Sequence, residues 1–172
     1  MSIEFNRRTF LKTGAALVGA TALVGLTGCD SSSNDSHPIN KAVGEDQTFD
    51  VGGIIVDPSE NGTISGTDSS KTYSISFEIK ANSAASLYND AVSIYYKGNY
   101  FPVTIKVDST VISARPVQIA AGQTADMEFS CAVPADATLQ DIIVKLHYND
   151  KSVKFQNIDS KLKTSGVYTD KL

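Results

Sequence analysis

Two stretches of strict alternation constrain this chain to a sheet architecture. Tyr73, Ile75, Phe77 and Ile79 are separated by Ser74, Ser76 and Glu78. Ala125, Met127, Phe129, Cys131 and Val133 are separated by Asp126, Glu128, Ser130 and Ala132. Successive side chains of a strand point to opposite faces, so a period of two gives one apolar face and one wet face. After residue 48 there is no apolar stripe of helical period long enough to cover a sheet. Further strands are expected at Phe49–Val56, Val92–Lys97, Tyr100–Val107, Ile142–Tyr148 and Ser152–Ile158, with a short one at Val117–Ile119. Lys97-Gly98-Asn99 and Asn149-Asp150 supply hairpin turns, and Gly52-Gly53 marks a bulge or a switch between sheets.

Seven or eight short strands over about 110 residues predict an all-β fold, an antiparallel β-sandwich of immunoglobulin type at residues 48–160. Tryptophan is absent, so the core has to rest on aliphatic, Tyr and Phe packing. One run carries a family resemblance: Ile119-Ala120-Ala121-Gly122-Gln123-Thr124, then Met127-Glu128-Phe129, then Val133-Pro134 and an apolar strand from Ile142. It resembles the telokin-like, immunoglobulin-like domain of secreted bacterial proteins and lipoproteins. The resemblance implies a fold and an extracytoplasmic setting, and it carries over no functional residues.

Residues 1–28 form an address. Asn6-Arg7-Arg8-Thr9-Phe10-Leu11-Lys12 precedes an uncharged stretch from Thr13 to Gly28. As a helix that stretch would span about 24 Å, short of the ~30 Å hydrocarbon thickness, which fits a cleaved signal better than a permanent anchor. Arg7 and Arg8 followed by Phe10, Leu11 and Lys12 resemble a twin-arginine export signal, which implies folding before transport. Leu26-Thr27-Gly28-Cys29 resembles a bacterial lipobox. That resemblance implies diacylglyceryl transfer to the Cys29 sulfur and a protein held at the outer face of the cytoplasmic membrane by its acyl chains. Loss of the leader removes Arg7, Arg8, Lys12 and Glu4 and shifts the net charge from -4 to -6. The body as a whole is thus repelled by an anionic surface. Residues 29–47 comprise the lipidated cysteine and a polar, flexible linker that contains a solvated His37, and residues 161–172 form a C-terminal tail.

Charge and composition then exclude several activities. An acidic chain lacks the basic footprint of a nucleic-acid binder. Two histidines and two cysteines give little material for a zinc or copper site. His147 is expected on the wet face of its strand without a partner, and Cys131 as an inert buried thiol. The chain is therefore read as a non-enzymatic, lipid-anchored module that binds a protein or polymer and has no required cofactor. Tyr95 and Tyr100 are candidate binding-face residues, though cross-strand tyrosine pairs also stabilise sheets on their own. The alternative is a calcium- or solute-sensing module built on Asp57–Asp68. In that stretch Asp57, Ser59, Asn61 and Asp68 occupy ligand positions of a twelve-residue loop with Gly62 at its sixth. A polar inter-strand turn would have the same composition. A hydrolase ranks third, for want of a nucleophile paired with a base.

Overall fold

The two alternating runs lie side by side, with Phe77 opposite Met127 and Ile75 opposite Phe129 in one antiparallel ladder. The computed structural model describes residues 37–58, 61–67, 70–112 and 116–170. In chain order the strands are β1 (Lys41–Ala42), β2 (Phe49–Val51), β3 (Ile54–Asp57), β4 (Thr63–Thr67), β5 (Ser70–Ala81), β6 (Ala85–Leu87), β7 (Val92–Tyr96) and β8 (Asn99–Phe101). They continue with β9 (Thr104–Val107), β10 (Thr110–Ile112), β11 (Val117–Ile119), β12 (Thr124–Val133), β13 (Ile142–Tyr148), β14 (Lys151–Ile158), β15 (Lys161–Thr164) and β16 (Tyr168–Thr169). Among the described residues, one 3-10 turn at Leu139–Asp141 is the sole helical element.

These strands build two seven-stranded antiparallel sheets and a small two-stranded one. The first sheet runs β1-β15-β14-β13-β7-β8, with β16 also on β14. The second runs β10-β9-β12-β5-β3-β2, with β4 on β5, and β6 pairs with β11 apart from both. The wet and apolar alternation places Tyr73, Ile75, Phe77, Ile79, Met127 and Phe129 inside, all buried. Phe155 of the first sheet meets Phe49 and Phe77 of the second, with ring centroids at 5.4 and 5.1 Å, and this seam joins the layers. Each such ring contributes about 1.5–3 kcal/mol relative to an exposed one.

The all-β sandwich matches expectation, but its strands are shorter and more numerous. Phe49–Val56 is not one strand. Gly52 and Gly53, at φ 64° and 103°, turn it into the β2–β3 hairpin. A Cβ on Gly52 would lie 2.5 Å from the Tyr148 carbonyl oxygen, so this turn admits only glycine. Tyr100–Val107 also divides, because Pro102 cannot donate to a ladder. The chain there leaves the first sheet after Phe101 and enters the second at Thr104.

The folded body is also wider than residues 48–160. Lys41 and Ala42, expected in the linker, pair with Thr164 and Lys163. The expected tail supplies β15 and β16. His37 is half-buried rather than free in solvent: it stacks on Tyr168, with centroids 3.9 Å apart and planes at 14°. Backbone hydrogen bonds, one ring contact and the side-chain bonds of Thr169 and Asp170 hold these polar ends, so their composition gives little sign of order.

Candidate functional site

The β13–β14 hairpin places His147 directly opposite Ser152. Beyond β15 the chain bulges and returns along β14 as β16, pairing Tyr168 with Ser152. One step further, the Asp170 backbone N–H donates to the Asp150 carbonyl at 2.9 Å, which brings its carboxylate over the hairpin. Asp170 Oδ2 lies 2.5 Å from Ser152 Oγ and 2.8 Å from His147 Nδ1, and the hydroxyl and ring nitrogen are 2.9 Å apart. Lys145 Nζ donates to Asp170 Oδ1 at 3.1 Å. Burial opposes ionisation of Asp170, but the bonds from Ser152, Lys145 and His147 outweigh it and hold the carboxyl below its ordinary range.

This network fixes an imidazole. Serine donates its proton to the carboxylate, so the Nδ1 proton of His147 also turns toward Asp170 and Ser152, leaving Nε2 as the acceptor of the neutral ring. A nucleophilic relay needs the hydroxyl at the other nitrogen and open to substrate. Here the hydroxyl sits on the Nδ1 side and Ser152 is 0% exposed. His147 is therefore not unpartnered, and Ser152 is not placed to act as a nucleophile for it.

The ring borders an open hollow of about 350 Å³ at the end of the sandwich, lined by Ser86, Tyr88, Asp90, His147, Tyr148 and Asn149. Tyr88 is 55% exposed. The hollow's walls come from distant stretches that are pinned together: the His147 backbone N–H donates to the Ala91 carbonyl at 2.7 Å, and Asn149 Nδ2 donates to the Gly52 carbonyl at 2.7 Å. Its chemistry suits a polar ligand, with a carboxylate, an amide, a fixed ring nitrogen and tyrosine surface.

The other expected site residues lie elsewhere. Tyr95 and Tyr100 face each other across β7 and β8, edge to face with centroids 5.8 Å apart. In the Asp57–Asp68 stretch, Ser59 and Asp68 fall outside the described residues, and Asp57 ends β3 opposite Glu78. Residues 63–67 form the extended β4, which sends alternate side chains to opposite sides rather than wrapping one point. Asn61 Oδ1 accepts from Asn157 Nδ2 at 3.0 Å, and the Gly62 N–H donates to Asn157 Oδ1 at 3.1 Å. Gly62 is needed for contact rather than for a sharp turn: a Cβ there would lie 2.5 Å from the Tyr73 hydroxyl. Among the described residues no three His, Cys, Asp or Glu side chains converge as metal ligands. Cys131 is buried, and burial pushes its thiol up to about 11, far from the thiolate form. Arg7, Arg8, Phe10, Leu11, Lys12 and Cys29 lie outside the described residues.

Residues 4–24 match the TAT (twin-arginine translocation) pathway signal sequence. No curated protein and no solved structure matches the chain. The matched leader directs export across the cytoplasmic membrane, so the sandwich is an extracytoplasmic body.

Proposed function

We propose that the exported chain is a non-enzymatic binding module, anchored through lipidated Cys29 to the outer face of the cytoplasmic membrane, that takes a polar segment of a protein or polymer into the hollow beside His147. The observation that carries this reading is the fixed imidazole of His147, held by Asp170 at 2.8 Å on the wall of a hollow that Tyr88 and Asp90 also line. Preorganised polar groups lose little freedom when a ligand arrives, and exposed tyrosine adds contact area at low ordering cost. The sealed Ser152 favours binding over hydrolysis, since the hydroxyl bonded to the ring is not open to a substrate. The lipobox-like end of the leader supports the anchor.

A photo-crosslinking residue placed at Tyr88 and activated on intact cells of the native host tests the hollow. A discrete adduct, lost on His147→Ala, is expected. Adduct formation indifferent to that change would remove the hollow from the reading, and an esterase or peptidase activity abolished by Ser152→Ala would replace binding with catalysis. Intact-mass measurement of the native protein tests the anchor: a bare Cys29 thiol or a retained Met1 would overturn it.

A further inference from the structure

The two outer faces of the sandwich carry opposite charge. On the first sheet, alternation with buried neighbours turns Lys145, Lys161 and Lys163 outward; Lys154, opposite Lys145, is itself buried, and Asp170 pairs with Lys145. Tyr95 and Tyr100 extend this face along β7 and β8. On the second sheet the same alternation turns out Asp50, Asp57, Glu78, Asp126 and Glu128. Lys80 and Lys106 are the lysines there, and Lys106 lies 3.4 Å from Glu128. A net charge of -4 conceals this separation.

The chain also enters the fold through the basic sheet. β1 is its outermost strand, and His37 lies on Tyr168 beside it. Only seven residues separate Cys29 from His37, and the eight steps between them reach at most about 29 Å when fully extended. That is much less than an 18-residue linker could span, so a lipid anchor at Cys29 keeps this sheet close to headgroups.

From the charge separation and the entry point together, we infer that the outer face of the first sheet docks on an anionic lipid surface. Lys161 and Lys163 meet the lipid phosphates, and the Tyr95–Tyr100 pair lies at headgroup level, where amphipathic rings are favoured. The acidic second sheet then faces away, and the molecule takes a fixed orientation despite its overall negative charge. The short reach in this inference rests on the proposed anchor, while the charge separation stands without it.

The test uses the chain from residue 29 onward carrying Cys29→Ser, so that neither the basic, apolar leader nor an acyl chain contributes. Its partitioning is measured onto vesicles of phosphatidylcholine mixed with phosphatidylglycerol, and onto phosphatidylcholine alone. Binding is expected on the anionic vesicles only, weakening with added salt. Lys161→Gln and Lys163→Gln should each lower it about fivefold. The paired change Lys80→Gln and Lys106→Gln, on the opposite face, should not lower it. Absence of binding, equal binding to neutral vesicles, or equal loss from the two pairs of changes overturns the inference. So does sedimentation showing that Lys161 and Lys163 hold two copies of the chain together, which would give the face to a second copy. A bare Cys29 in the native protein would overturn the anchor and leave the vesicle result standing, so the two failures are distinguishable.

Discussion

The centre of the sandwich and its rim are held together by different means. At the centre, Phe155 bridges Phe49 and Phe77, and any well-packed apolar set of similar volume would serve. At the rim, single polar atoms tie distant segments: Asn157 holds Gly62, Asn149 holds Gly52, and Asp170 holds His147. The centre supplies most of the stability and little chemistry. The rim supplies little stability per contact, but it places the groups that line the hollow.

The first way to break this contrast is at the seam. Phe155→Ala should cost about 3–5 kcal/mol in urea unfolding, because a cavity opens between the sheets. A loss under about 1 kcal/mol would mean that the layers are joined elsewhere. Next, Asn157→Ala strips the buried Gly62 N–H of its acceptor and should cost about 1–3 kcal/mol, leaving the unfolding slope unchanged.

Asp170→Asn tests the rim by pH. The folded carboxyl titrates below its unfolded value, so its contribution is present above about pH 4 and is lost as pH falls through the folded value. Stability of the Asn variant should therefore fall less steeply below about pH 4 than that of the parent. Parallel acid limbs would show that Asp170 is not held as described. Tyr100→Ala should cost only about 0.2–1 kcal/mol, the scale of one cross-strand pair. The smallest effect concerns the Asp57–Asp68 stretch: melting midpoints in excess calcium and in chelator should coincide, and a rise with calcium would restore that stretch as an ion site.

The same contrast decides what the sequence made legible. Strands β5 and β12 were readable because a buried face repeats every second residue, and the Lys97-Gly98 turn because its residues, at φ 47° and 79°, tolerate left-handed backbone. The resemblance to a telokin-like domain added no site residues, and the 48–160 bounds read from alternation and polar composition leave out β1, β15 and β16. Two local signals were present but ambiguous. Gly52-Gly53 is as good a hairpin signal as a bulge signal, and Pro102 inside an apolar run argues for a break. At the rim, Asn149-Asp150 announced the hairpin that sets His147 against Ser152, and the rest had no local signal. His147 and Asp170 meet only because β16 returns along β14, and nothing near either residue in sequence announces that return. Short polar edge strands such as β1 likewise leave no periodic trace.

The pairing of β1 with β15 has a consequence in time. The strand nearest the leader finds its partner only in residues 161–164, among the last of the sheet to leave the ribosome. A nascent chain stopped before those residues has an open ladder edge along β14 and a dangling start. For cargo that folds before it crosses the membrane, closure of this ladder means that the polypeptide beneath the signal has already been made at least as far as that hairpin.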